Sequence, residues 1–110
     1  MNIAAVQGRV RTNPDRRKAQ DGSLLLSFDV QVDVSGGAKQ QVPVTWKGPE
    51  RHAPTVEEGL AVTVVGPVIR RFYRSGGRTL SRTDVRATKV VRGFGTRADA
   101  AIDAAIRAAG

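Results

Sequence analysis

The chain has no cysteine, a single histidine and few aromatic residues: one Trp, one Tyr and three Phe among 110 positions. Without cysteine there is neither a disulfide framework nor a thiolate metal site. His52 stands alone in a loop flanked by Pro49 and Pro54, and the acids form no cluster with metal-ligand spacing. A catalytic triad and a hydrolytic metal centre therefore both lack their parts. No metal, no cofactor and no enzymatic activity are expected. No apolar run approaches the roughly 20 residues of a membrane span. The opening "MNIAAVQGRV" lacks the basic stretch, apolar run and cleavage site of a secretory signal. A soluble, cytoplasmic protein with no membrane partner is expected.

What is present fits one small domain, with 40% apolar and 25% charged residues. A domain of this size buries only about two-thirds of the surface its unfolded chain exposes, so self-association is an expected source of stability. The net charge is +8, and its distribution says more than its size. Residues 66–97 hold nine basic side chains against the single acid Asp84, whereas the rest of the chain balances nine basic against nine acidic groups. One segment thus carries the whole excess, which points to a polyanionic partner.

Short β-branched and apolar runs separated by glycine-bearing turns make residues 2–92 mostly β. "NIAAVQGRVR" predicts a first strand and "TNPDRRKAQDG" a turn. In "SLLLSFDVQVDV" the residues Leu24, Leu26, Phe28, Val30 and Val32 alternate with polar ones, the period of a strand with one buried face. "SGGAKQQ" reads as a connection, and "VPVTWK" as a third strand at an edge, at a bulge or in an open part of the sheet, because Pro43 cannot donate to a ladder. "TVEEG" offers a short helix with Thr55 as N-cap, Glu58 as its capping partner and Gly59 as its stop. Two long runs, 60–74 and 78–91, joined by "SGG" predict a hairpin with arms of roughly 40 Å. Its tip, which carries the arginines, should project as an arm. From Thr96, Ala98, Ile102, Ala105, Ile106 and Ala109 share one helical face, so residues 96–110 read as a terminal helix capped by Thr96.

Single-strand nucleic-acid binding needs a basic path for phosphates and aromatic platforms for bases. "VVGPVIRRFYRSGG" supplies both. Adjacent strand residues point to opposite faces. Phe72 shares the face of Val62, Val64 and Val68, which begins in the core; Tyr73 faces outward beside Arg71. Trp46 is the second candidate platform, and spacing alone leaves it even between that role and a core position.

At this point "GRVRTNPDRRKAQDGSLLLSFDVQV" resembles the opening of bacterial single-stranded DNA-binding proteins, with Gly8, Arg9, Val10, Asn13, Pro14, Asp15, Arg17, Gly22 and Phe28 matching in order. "EEGLAVTVVGPVIRRFY" resembles the family's Gly-x-x-Val-x-Val-x-Gly strand, and the likeness spans about residues 2–91. The resemblance implies a five-stranded Greek-key OB-fold barrel over residues 1–95, with a long hairpin between strands four and five, one short helix, and the C-terminal helix appended. It also implies non-enzymatic, largely sequence-independent binding of single-stranded DNA in replication, repair or recombination, by a tetramer or dimer.

Tyr73 falls where the family places a stacking Trp, and Trp46 where it places a stacking Phe. Arg9, Arg11 and Lys47 are implied along the strand path, with Arg71, Arg74 and Arg78 as phosphate contacts on the hairpin. Two further platforms of the family are missing, because "SGGAKQQ" occupies their places, so binding should lean on phosphate charge and respond strongly to salt. Pro43 lies in a strand that helps form the family's tetramer contacts. The chain ends "AAIRAAG" without the family's acidic tip, so no tail-mediated recruitment of replication enzymes is expected. The alternatives are an RNA-binding or primosome-type OB module and an OB-fold nuclease; Asp84, alone on the basic hairpin, counts against the nuclease.

Overall fold

The computed structural model describes residues 1–109. They form β1 (Ala4–Val10), β2 (Asp15–Lys18), β3 (Leu24–Asp33), β4 (Lys39–Gly48), β5 (Ala61–Gly66), β6 (Val68–Ser75), β7 (Arg78–Arg86), β8 (Lys89–Arg92) and α1 (Thr96–Ala109). The alternation in β3 places Leu24, Leu26, Phe28 and Val30 at 4% exposure or less, and their polar neighbours face the other side. β4 pairs with β3 over its whole length without a bulge, from Leu24 opposite Gly48 to Asp33 opposite Lys39. Register then carries the core face across the sheet: Phe28 lies opposite Val44, and Val44 opposite Val85. These three pack with Val10, Val30, Val62 and Val64 into the main core.

The sheet order is β6-β7-β4-β3-β1-β5-β8, with β2 added beside β3. The two ends of that order belong to one bent hairpin, since β5 runs on into β6 and β7 into β8. At the bend Ala87 N–H donates to the Thr45 carbonyl (2.7 Å), Thr88 N–H to Val65 (2.8 Å) and Arg86 N–H to Pro67 (2.9 Å). Residues 86–88 thereby tie β4 to the β5–β6 strand and wrap the sheet around its core.

The strand count departs from five for a local reason. At Gly66–Pro67 the fourth run exchanges its partners β1 and β8 for β7, and proline supplies no N–H to continue the earlier ladder. The projecting arm is therefore β6 with β7, roughly 26 Å for the eight residues of β6 rather than 40 Å. β2 forms within the expected first turn, where Asp15 to Lys18 lie opposite Ser27 to Leu24. Its hairpin is closed by Asp21, whose carboxylate accepts from the Ser23 hydroxyl and backbone N–H and is held at a pKa of about 2, first by those bonds and then by Lys47.

The short helix expected at "TVEEG" is absent: residues 53–57 are irregular and Glu58–Gly59 form a turn. Backbone donors that Thr55 and its own turn would have served are taken by the β1 end of the chain. Asn13 Oδ1 accepts from Glu58 N–H (3.0 Å), and the Val10 carbonyl from Gly59 N–H (2.8 Å). Pro43 sits opposite Asp29, whose carbonyl bonds Arg11 of the β1 side. The Pro43 nitrogen thus points away from β3, toward the stretch of β4 that has no second partner, the open part of the sheet allowed for above.

α1 packs on β5 and β8 through its first turns, with Ala98 fully buried and Ile106 47% exposed. Its first bond runs from Asp99 N–H to the Gly95 carbonyl (3.0 Å), so Gly95 rather than Thr96 occupies the cap position. Gly110 of the expected helix lies outside the described residues. Among the described residues no helix is long and apolar enough to cross a membrane.

A Cβ on Gly66 would overlap the Arg86 backbone carbonyl, which cannot move without breaking the junction. Gly66→Ala is expected to cost about 1–3 kcal/mol, seen in thermal melting as a Tm lower by about 4–8 °C per kcal/mol. An unchanged Tm would show that the close approach is not a constraint.

Candidate functional site

On β1, β3 and β4 the face opposite the core carries Arg9, Gln31 and Gln41 in one cross-strand row. Gln31 Oε1 accepts from both Arg11 Nη1 (3.0 Å) and Gln41 Nε2 (3.1 Å), and Arg9 Nη1 donates to the Gly59 carbonyl (3.2 Å). Two exposed guanidinium groups are thus tied at fixed places on a polar floor. Beside them a hollow of about 450 Å³ is bordered by Arg9, Gln31, Lys39 and Phe94.

The arm continues this sheet. Its loop is Gly76–Gly77, both with positive φ (59° and 76°), as a two-residue loop of the I′ type requires. Register fixes the two faces. Val68 lies opposite Val85 and so continues the core face, as do Arg70, Phe72 and Arg74; Arg71 and Tyr73, with Arg82 and Leu80 opposite, continue the face of Arg9 and Arg11. Arg78, opposite Ser75, shares this second face.

Tyr73 is 49% exposed and borders a hollow of about 420 Å³ with Arg71 and Arg82. Arg71 Nη2 lies 3.0 Å from Oδ2 of Asp84, whose side chain is buried and whose Oδ1 has no hydrogen-bond partner. Part of the Arg71 guanidinium is committed to that carboxylate. Among the described residues Arg82 has no acidic partner, so it brings the less encumbered charge to Tyr73.

Phe72 is on the core-derived face, yet it is 67% exposed, because beyond Val68 the strand has left the barrel and nothing covers that face. The Arg70 guanidinium lies over its ring, 5.5 Å from the centroid, and donates to Ser81 Oγ (3.1 Å). Arg74 Nη2 donates to the Gly77 carbonyl at 3.4 Å, close to the loop.

Trp46 and Lys47 are placed elsewhere. Trp46 lies opposite Leu26 on the core side of β4 and is half-buried against the main core. Its remaining edge borders a hollow with Pro49, His52 and Lys89 at the far end of the barrel. Lys47 faces outward but sits six residues along β4 from Gln41, about 20 Å, and its Nζ is 3.4 Å from Asp21. The structure therefore gathers Arg9 and Arg11 on the floor and Arg71, Tyr73 and Arg78 on the same side of the arm. It sets Arg74 on the arm's reverse, and Trp46 and Lys47 at the opposite end. Sequence reading missed Arg82, Gln31 and Gln41, and the available signal was pairing: with Gly76–Gly77 as a two-residue loop, Ser75 meets Arg78 and Arg82 faces Arg71.

No protein-family model and no curated relative matches the sequence. Among solved structures, the dimeric N-terminal domain of PriB from Thermoanaerobacter tencongensis aligns with a TM-score of 0.66 at 20% identity, covering 86% of this chain and 98% of that one. A Plasmodium falciparum SSB in complex with single-stranded DNA aligns with a TM-score of 0.72 at 14% identity, covering 86% and 96%. At these identities the likeness establishes a shared, OB-type fold.

Removing Arg71 leaves the Asp84 carboxylate buried and uncompensated, whereas Arg82 is exposed and supports nothing. Arg71→Ala is expected to lose about 1–3 kcal/mol in denaturant unfolding, and Arg82→Ala to stay within about 0.5 kcal/mol of the parent. Equal stabilities would remove the structural role of the ion pair.

Proposed function

We propose that the chain binds single-stranded DNA with little sequence preference and without catalysing a reaction, as a homo-oligomer serving replication, repair or recombination. The observation that carries this reading is the coincidence, on one side of the sheet, of an anchored arginine floor and the exposed Tyr73 beside the Arg71–Arg82 pair. Arginines tied at fixed positions suit phosphates spaced along a backbone, and each phosphate neutralised releases counterions. A single exposed ring accepts an unstacked base, which a strand offers and a duplex does not. Since every base has a π-face, such a platform discriminates little among sequences.

In this reading Arg9, Arg11, Arg71, Arg78 and Arg82 hold phosphates and Tyr73 stacks a base. Arg74 adds charge at the loop, while Trp46 and Lys47 lie outside the path. Support comes also from the shared fold of a neighbour solved with single-stranded DNA. The dimeric PriB neighbour makes a dimer the assembly to look for.

Tyr73→Ala is expected to weaken binding of a labelled dT16 by about 1–3 kcal/mol, measured by anisotropy, and similarly for other base compositions. An unchanged affinity would sink the stacking role. Arg82→Ala should reduce the magnitude of the slope of log K against log salt by about 0.7 for the lost phosphate contact on a single strand. Competition of dT16 against rU16 separates the DNA reading from an RNA-binding one: preference for rU16 would replace the substrate and keep the site.

A further inference from the structure

Phe94 was absorbed by neither the core nor the arm. Its ring is 47% exposed, yet the backbone that carries it is pinned. Gly93 N–H donates to the Ala61 carbonyl (2.8 Å), and the Gly93 carbonyl accepts from Thr63 Oγ1 (2.8 Å). Thr63 is itself fully buried, and its Oγ1 accepts from Gln7 Nε2 (3.1 Å). On the other side, the Gly95 carbonyl accepts the first bond of α1. An apolar ring is therefore held at the surface by structure on both sides.

What it faces decides its use. The hollow of about 450 Å³ beside it is bordered by Arg9, Gln31, Asp33 and Lys39, the far portion of the same polar floor. An apolar partner helix would meet charge on that floor, whereas a nucleotide offers a flat base to the ring and a phosphate to Arg9 or Lys39. Lys39 is only loosely engaged, with Nζ 3.8 Å from Asp33.

We propose that Phe94 is a second base-stacking platform at the opposite edge of the sheet from Tyr73, so that one strand runs from the arm across the Arg11–Gln31–Gln41 floor to the foot of α1. The proposal rests on the single-strand-binding reading and extends it. From β6 to β1 the path crosses four strand spacings, about 19 Å at 4.8 Å each. Two widely separated platforms reward longer strands, within the range of about 4–16 nucleotides that one such domain occupies.

The test is a titration of dT16 and dT4 against the wild-type chain, Phe94→Ala and Phe94→Trp, with thermal melts to confirm that all three fold alike. For dT16, Phe94→Ala should bind about 5- to 150-fold more weakly, and Phe94→Trp should retain wild-type affinity. The loss should be smaller for dT4, which the arm alone can hold. Indole emission of Phe94→Trp in a Trp46→Phe background should be quenched by saturating dT16. If Trp46→Phe does not fold, the dT16 affinity of Phe94→Ala decides alone. Wild-type affinity of Phe94→Ala for dT16 would overturn the proposal while leaving the function reading intact. Failure of the wild-type chain to bind either oligomer would remove both.

Discussion

Between Val65 and Pro67 the chain gives up one set of partner strands and takes another, and it does so against the backbone of Arg86 at a distance no side chain permits. Three backbone bonds from residues 86–88 hold that crossing. Everything on the core side of it is packed: Val62 and Val64 are fully buried. Farther out, from Arg70 to Thr83, the arm is a two-stranded ribbon exposed on both faces apart from the half-buried Leu80. A ribbon of this kind is marginal by itself, so the junction both closes the barrel and carries the arm. It also sets which arm residues share a face with the barrel floor.

The arm concentrates like charge. Arg71 and Arg82 lie directly opposite each other, a placement that disfavours the hairpin. Asp84 offsets this from below, its buried carboxylate meeting Arg71 at 3.0 Å, and it is the sole acid between residues 66 and 97. Asp84 thereby supplies the one negative charge beneath the paired arginines of the arm.

Much of the fold was legible because it is local. The alternation in residues 24–33 specifies strand and face, and "SGG" marks the hairpin whose two-residue Gly76–Gly77 loop sets the register. The terminal helix announced itself by its apolar face, although only its first turns found a surface to bury against. What escaped the sequence was tertiary. Pro67 marks a break after Gly66 but not the exchange of partners there, which splits runs four and five into two strands each, and β2 within the expected first turn makes the eighth. The "TVEEG" capping pattern was sound in isolation, but Asn13, forty-five residues away, took the Glu58 N–H. For the site, the arm and the arginines were readable from adjacency and period. Trp46 was not, because spacing alone left its face open; in the fold it is half-buried against the core, with its remaining surface on a hollow away from the arm. Phe94 was invisible, since only the folded chain brings residue 94 beside Arg9 and Lys39.

The central claim is that one side of the sheet, from the arm to β1, receives a single strand. Amide chemical-shift mapping on adding dT16 tests it most directly. The account predicts shifts concentrated at residues 9–11, 31, 39–41, 71–73 and 78–82, with the Trp46 end of the barrel unaffected. Shifts confined to the hollow around Trp46, His52 and Lys89, or no shifts at a saturating concentration, would contradict it.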